Sequence, residues 1–190
     1  MNFRVDLETY FMRPADICFA EKPTLIRTVL GSCVTITMFH KNSGAAAACH
    51  PTLPVCRHED SCRPARCRYK FKYVECVIPE MIKWFLKLGV QPDELEIKLF
   101  GGANLFSRHN ANGRVIHVGN MNVSMARQKI DELQIKIKSF DVGGTRGRKL
   151  FFDTSSGDVW VKRFAIENAS QDERALMGDQ IEMVLRENAR

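Results

Sequence analysis

The stretch that most constrains the fold is residues 24–39, TLIRTVLGSCVTITMF, which is rich in β-branched and apolar residues and is interrupted by Gly31-Ser32. β-Branched and apolar residues favour strands, and a glycine followed by a serine favours a turn. The stretch therefore predicts two strands that meet at a tight bend, with Cys33 on the bend. A β-sheet must form part of the fold.

Helical and strand periods alternate along the rest of the chain. Between residues 74 and 86 the apolar residues recur at three- and four-residue steps, and Gly89 then stands where a helix C-cap is expected. A half-buried strand is predicted from Leu95 to Leu99, ending at Gly101-Gly102, and Asn120 is predicted to cap a second helix. Further strands are predicted from Ile135 and in a hairpin at residues 150–161.

Two segments depart from this regular pattern. Residues 51–72 contain prolines, arginines and cysteines without a period, which predicts an irregular surface excursion; its Cys/Arg-rich part is residues 55–72. The small residues at 44–48, before Cys49-His50-Pro51, suit a closely packed strand, with a short helix as the alternative. We expect one domain over residues 1–164 and an accessory amphipathic helix over residues 165–190, with Ser170 and Glu173 as a capping box.

Composition limits the classes of protein to which the chain can belong. The chain has 190 residues, 45% of them hydrophobic, and no apolar run approaches the roughly 18 residues that span a bilayer. Seven cysteines, an odd number, suit a reducing compartment, so a cytoplasmic location is predicted. The net charge is +6, and one cluster of basic residues contributes to it: Arg57, Arg63, Arg66, Arg68, Lys70 and Lys72. We interpret this cluster as a solvated face rather than a nucleic-acid site.

Cys33 is the candidate nucleophile. A cysteine at a turn between strands can present its thiol and leave backbone amides for an oxyanion, provided that a base lies nearby. Of the five histidines, His50 is favoured because it follows a tight segment that can run beside the strand of Cys33. The alternative is structural, since single cysteines are often buried and single histidines are often satisfied in a core.

Several motifs together carry a family resemblance. Residues 28–34, TVLGSCV, resemble the T-x-L-G-S-C-V signature of the chemoreceptor glutamine deamidase (CheD) family, and His50 with Leu53-Pro54 resembles its H-x-x-L-P motif. The similarity continues in residues 98–103, KLFGGA, in residues 119–122, GNMN, and in residues 141–148, DVGGTRGR. It covers about residues 20–164.

The resemblance implies an α+β fold, a layered sandwich of mixed β-sheet with flanking helices, and hydrolysis of glutamine side-chain amides in chemoreceptors. It implies Cys33 as nucleophile, His50 as base and Thr28 as the residue that orients the imidazole. The residues expected beside the substrate, each of which also has a structural interpretation, are Gly31, Ser32, Gly101, Gly102 and Phe106. No cofactor or metal is expected, and the expected partners are chemoreceptor cytoplasmic domains and a phosphatase of the CheC type.

The chain also departs from the family pattern. Four cysteines and a histidine lie near the proposed base: Cys49, Cys56, His58, Cys62 and Cys67. Their spacing lacks the paired C-x2-C of structural zinc sites, so free thiols are the favoured interpretation. Two rival functions stay open at this point: an adaptor that binds chemoreceptors or a CheC-type phosphatase without turnover, and a zinc-stabilised RNA-binding module.

Overall fold

The computed structural model describes residues 7–56, 67, 69–105, 108–109, 115–165 and 171. The described part contains two helices, α1 (Val74–Lys87) and α2 (Val118–Asp131). The strands in chain order are β1 (Glu8–Phe11), β2 (Ile17–Ala20), β3 (Thr24–Leu30), β4 (Val34–Phe39), β5 (Ala46–Cys49), β6 (Glu96–Gly101), β7 (Arg108–His109), β8 (Val115–Ile116), β9 (Ile137–Val142), β10 (Gly147–Asp153) and β11 (Val159–Phe164).

The strands form two main sheets and a short ribbon. The four-stranded sheet has the order β1-β3-β10-β11, the five-stranded sheet has the order β2-β5-β4-β6-β9, and β7 pairs with β8. Both main sheets are mixed: β1 with β3 and β6 with β9 are parallel, and the other pairs are antiparallel. The predicted α+β sandwich is confirmed.

The five-stranded sheet lies at the centre of three layers. On one face, residues such as Val34, Ile36 and Met38 pack with α1 and α2. On the other face, Cys33 and Phe39 pack with residues of the four-stranded sheet. Because successive side chains of a strand point to opposite faces, odd-numbered residues near the start of β4 face the layer between the sheets. We call this layer the inter-sheet core: Met12, Ala20, Ile26, Leu30, Cys33, Phe39, Ala46, Ala48, Phe100, Leu150 and Phe152.

The bend at Gly31–Cys33 carries the chain from one sheet to the other. β3 belongs to the four-stranded sheet and β4 to the five-stranded sheet, so the two predicted strands do not pair with each other. The segment at 46–49 is a strand, because β5 lies between β2 and β4 and its alanines are buried. The predicted hairpin is also present, as β10 and β11 pair in antiparallel fashion.

One local prediction was wrong, and a second is corrected at its first residues. Asn120 does not cap α2, which begins at Val118; its Oδ1 instead accepts a hydrogen bond of 2.9 Å from Asn104 Nδ2. The predicted surface excursion is buried where it begins, since Leu53 forms a parallel bridge with Tyr73. The predicted C-terminal helix falls almost wholly outside the described residues.

The two helices have 14 residues each. Neither of them qualifies as a membrane span.

Candidate active site

Cys33 lies at the bend between the two sheets and is completely buried, with an exposed fraction of 0%. Its side chain is part of the inter-sheet core. The prediction of a thiol presented at a turn is therefore wrong in one respect: the turn is present, but the adjoining sheet covers the sulfur. A substrate can reach this atom only if the residues around it move.

The backbone of the bend is fixed by hydrogen bonds from two other segments. Gly102 N donates to Cys33 O over 2.7 Å, and Ala103 N donates to Gly31 O over 2.9 Å. Asn122 Nδ2, from α2, donates to Ser32 O over 3.0 Å. Each residue of the bend thus has its carbonyl group held, which restricts the position of Cys33.

Gly101 approaches the bend so closely that no side chain fits there. A Cβ at this position would lie 2.3 Å from Cys33 O, and its φ is +100°. This contact gives Gly101 a structural role in placing the cysteine, beside the substrate-side role predicted for it. Gly102 is similarly enclosed, because a Cβ there would lie 2.3 Å from Val123 Cγ2.

We expect Gly101→Ala to lower the free energy of unfolding by about 3 kcal/mol or more, because the new methyl group displaces the Cys33 carbonyl and the backbone is already strained for a non-glycine residue. Gly44→Ala is the matched control, since Gly44 also has a positive φ, of 72°, but nothing within 4 Å of the added carbon. The control should lose about 1 kcal/mol, the cost of the left-handed backbone for a residue with a Cβ. Urea unfolding measures both, and equal losses would contradict the steric argument.

His50 lies beside the bend because of the register between β4 and β5. Ile36 is opposite Cys49, and the pairing continues through a hydrogen bond of 3.3 Å from Val34 N to Pro51 O. Thr35 is therefore opposite His50, and Cys33 lies diagonally across from it. Such diagonal neighbours have Cα atoms about 7–8 Å apart, within reach of an imidazole and a thiol.

Thr28 contacts His50 from the opposite sheet. Its Oγ1 lies 2.8 Å from His50 Nδ1 and also 2.8 Å from Met12 O, to which the hydroxyl donates. With the hydroxyl proton directed to Met12 O, the His50 tautomer that donates to Thr28 is the one with its proton on Nδ1 and its lone pair on Nε2. This is the tautomer that a base acting through Nε2 requires.

The three predicted residues therefore draw on both sheets. Thr28 belongs to β3 of the four-stranded sheet, His50 follows β5 of the five-stranded sheet, and Cys33 lies on the bend that joins the two sheets. Thr28 shares an inward face with Ile26 and Leu30, which belong to the inter-sheet core. The register of β3 thus directs the Thr28 hydroxyl inward.

Burial makes both the thiol and the imidazole neutral. Desolvation raises the pKa of Cys33 well above its ordinary range. Desolvation also lowers the pKa of His50 to about 4, although a hydrogen bond with the Met12 backbone acts in the opposite direction. At neutral pH the pair is consequently a neutral thiol and a neutral imidazole.

Because the His50 imidazole is buried, we expect the free energy of unfolding to decrease in acid. Between pH 6.5 and about 4 the unfolded His50 binds a proton that the folded protein excludes, so the free energy of unfolding falls as the pH decreases through this window. The gap between the two values corresponds to roughly 3 kcal/mol. We expect wild type to lose that much more than His50→Asn between pH 7.5 and pH 4 in urea unfolding. A parallel pH dependence of the two proteins would contradict the assignment.

His50 and its neighbour Cys49 lie on opposite faces of the five-stranded sheet. Cys49 packs on the helical face of the sheet and donates to Ile36 O over 3.8 Å, whereas His50, the next residue, faces the inter-sheet core. Within the described residues no group of histidines, cysteines or acidic residues could hold a metal ion. His58 and Cys62 lie outside the described residues, as does Phe106.

Asn122 is a site residue to which sequence analysis gave no role. It is completely buried, and its Nδ2 donates both to Ser32 O and to Thr52 O, each over 3.0 Å. It therefore ties the bend of Cys33 to the segment that follows His50. The motif at residues 119–122 was visible in the sequence, but nothing local to it indicated a partner about 90 residues away.

Comparison with known proteins identifies relatives over most of the chain. A family described as "CheD chemotactic sensory transduction" matches residues 58–163. A "Probable chemoreceptor glutamine deamidase CheD 2" of Geobacter sulfurreducens is 41% identical over 153 residues, 80% of this chain and 88% of the relative. A "Probable chemoreceptor glutamine deamidase CheD" of Maridesulfovibrio salexigens is 40% identical over 162 residues, 83% of this chain and 93% of the relative.

The family match begins at residue 58, after Thr28, Cys33 and His50. An alignment with one relative covers more of the chain. A "Probable chemoreceptor glutamine deamidase CheD" of Pseudomonas savastanoi pv. phaseolicola is 32% identical over 174 residues, 90% of this chain and 94% of the relative. Among solved structures, the hypothetical protein YfiH of Bacillus licheniformis matches with a TM-score of 0.46 and 9% identity. That match covers 68% of this chain and 51% of the other.

Proposed function

The chain belongs to the CheD family, and from this premise we propose that it is a cysteine-dependent protein-glutamine deamidase that acts on bacterial chemoreceptors. The substrate is the side-chain amide of specific glutamines in the receptor's cytoplasmic part, and the products are glutamate and ammonia. Conversion of these glutamines to glutamates changes the charge of the receptor. We therefore assign the protein a role in chemotactic adaptation.

One observation carries the proposal: His50 is held by Thr28 through Nδ1 in the same buried layer that contains Cys33. A nucleophile, a base and a third group that orients the base are the parts that covalent amide hydrolysis requires. The bond to Thr28 fixes the orientation of the imidazole, and the register of β5 with β4 brings the ring to the start of β4, beside Cys33. Binding alone would require none of these three groups.

The first half of the reaction forms a thioester. As Cys33 Sγ attacks the carboxamide carbon, its proton passes to His50 Nε2, and the carbonyl oxygen takes up the negative charge. The imidazolium then gives this proton to the departing nitrogen, so that ammonia leaves and the C–N bond breaks. Proton transfer during attack suits a neutral thiol and a neutral imidazole, since neither group needs to be charged in the resting enzyme.

The second half consumes water. His50, neutral again, takes a proton from a water molecule as the water oxygen attacks the thioester carbon. The proton then returns to the sulfur as the C–S bond breaks, and the glutamate side chain is released. Each cycle converts one amide and one water into one carboxylic acid and one ammonia, without a cofactor.

The proposal is tested with a purified chemoreceptor cytoplasmic fragment that carries glutamines. Wild-type protein should release ammonia and add one mass unit to particular receptor peptides, as measured by an enzyme-coupled ammonia assay and by mass spectrometry. Binding to the fragment without either product would contradict the proposed enzyme and favour the adaptor. A reaction mixture without the protein controls for spontaneous deamidation.

A further inference from the structure

Thr35 carries a hydroxyl that the fold itself does not use. The residue is completely buried, and Oγ1 has no hydrogen-bond partner among the described residues. A buried polar atom without a partner destabilises a folded protein, and valine has nearly the same shape as threonine and forms strands equally well. A threonine at this position therefore indicates a role other than packing.

Thr35 is located next to both proposed catalytic residues. It follows Cys33 by two positions at the start of β4, so both side chains point toward the inter-sheet core. It is also opposite His50, in the register fixed by Ile36 with Cys49 and by Val34 N with Pro51 O.

The backbone hydrogen bonds show that this opposition is close. His50 N donates to Asp16 O and His50 O accepts from Ala15 N, so both polar groups of His50 are directed away from β4. Thr35 and His50 thus form a non-hydrogen-bonded pair, the kind in which side chains lie nearest, with Cβ atoms about 4.5–5.5 Å apart. The side chains of Thr35, His50 and Cys33 are consequently neighbours on the inter-sheet face of the five-stranded sheet.

The Thr28 hydroxyl, which also lies beside His50, already has hydrogen-bond partners. Thr28 Oγ1 donates to Met12 O and is bonded to His50 Nδ1. A carboxamide that reaches Cys33 brings two N–H donors, which lose hydrogen bonds to water and need acceptors in the protein. Thr35 Oγ1 is an acceptor that needs a partner in the same place.

We propose that Thr35 is a substrate-contacting residue whose Oγ1 accepts a hydrogen bond from the NH₂ group of the glutamine carboxamide while Cys33 attacks its carbon. This inference rests on the proposed deamidase function. In its acceptor role the hydroxyl favours an amide over groups that lack N–H donors, because those groups cannot donate to it. Thr35 contributes to substrate binding and takes up no proton during the reaction.

Thr35→Val tests this contact. We expect kcat/KM for ammonia release from the receptor fragment to fall about tenfold, the loss typical of one hydrogen bond. The same variant should be as stable as wild type or more stable, because the unpaired hydroxyl is gone. Thr35→Ser keeps the hydroxyl and should retain most of the rate. Thr37→Val is the matched control, because Thr37 is buried on the same face of β4 two residues further from Cys33. Removal of the Thr37 hydroxyl should leave kcat/KM unchanged.

The outcomes separate the two proposals. Failure of wild type to release ammonia would overturn the proposed function, whereas an active wild type with an equally active Thr35→Val would overturn only the role of Thr35. A rate loss shared by Thr35→Ser, or accompanied by a lower melting temperature in Thr35→Val, would show a packing role and overturn the inference. If Thr35→Val does not fold, Thr35→Ala against Thr35→Ser gives the same comparison of variants without and with the hydroxyl.

Discussion

Cys33→Ala is expected to abolish deamidation of the receptor fragment, with a loss of at least about 10³-fold in kcat. Without the sulfur no thioester can form, and the remaining groups can only orient water against an amide. The measurement is ammonia release together with the mass of the receptor peptides. Because alanine is small and the site is buried, circular dichroism and thermal unfolding should accompany the assay, so that a folding defect is not mistaken for a catalytic one.

Cys49→Ala is the matched control for this experiment. Cys49 is as deeply buried as Cys33, and burial raises its pKa to about 12. Its side chain, however, packs on the helical face of the five-stranded sheet, away from the inter-sheet core. We expect the control to keep wild-type activity per folded molecule. Full activity in Cys33→Ala, or equal losses in the two variants, would contradict the assignment of Cys33 as nucleophile.

His50→Asn is expected to lower kcat by about 10²–10⁴-fold, the usual contribution of a positioned general acid and base. Asparagine can place its Nδ2 where the imidazole has Nδ1, so the bond to Thr28 is kept while the distal nitrogen is lost. Proton transfer from the thiol then has no acceptor, and the buried thiol, whose pKa is raised by desolvation, stays protonated.

His40→Gln serves as the control for His50→Asn. His40 is also buried, but its Nδ1 is bonded to Ser43 Oγ in the turn after β4. Ammonia release by this variant should match wild type. Thr28→Val provides an intermediate case, since it removes the bond that orients the ring but leaves the ring itself. A Thr28→Val variant slower than His50→Asn would contradict the order of roles proposed for the two residues.

Much of the local structure was predicted correctly from the sequence because it depends on neighbours along the chain. The three- and four-residue spacing of apolar residues predicted α1, and the alternation after Leu95 predicted β6. The break at Gly31-Ser32 predicted the bend that carries Cys33. Each of these signals is complete within a window of about 15 residues or fewer, which is the scale on which helix and strand periods appear.

The wrong predictions concern the start of helix α2 and the environment of the Cys33 side chain. Asn120 has a side chain suited to capping, but it pairs with Asn104, because the close contact between Gly119 and Gly102 brings the two segments together. Cys33 was expected at the surface of a turn, yet the chain crosses there from one sheet to the other and the second sheet covers the thiol. Both outcomes depend on contacts between segments far apart in sequence.

The sequence alone determined which residues are capable of the chemistry: a cysteine at a bend, a histidine near small residues, and a threonine on the preceding strand. Only the tertiary structure decided that they share one buried layer, because the pairing of β4 with β5 sets the distance from Cys33 to His50 and the packing of the two sheets brings Thr28 to the imidazole. The pairing of β4 with β5 also places Thr35 opposite His50, and the packing of α2 on the five-stranded sheet brings Asn122 to the bend. Strand register and sheet packing join residues across the whole domain, and for that reason no local pattern can specify them.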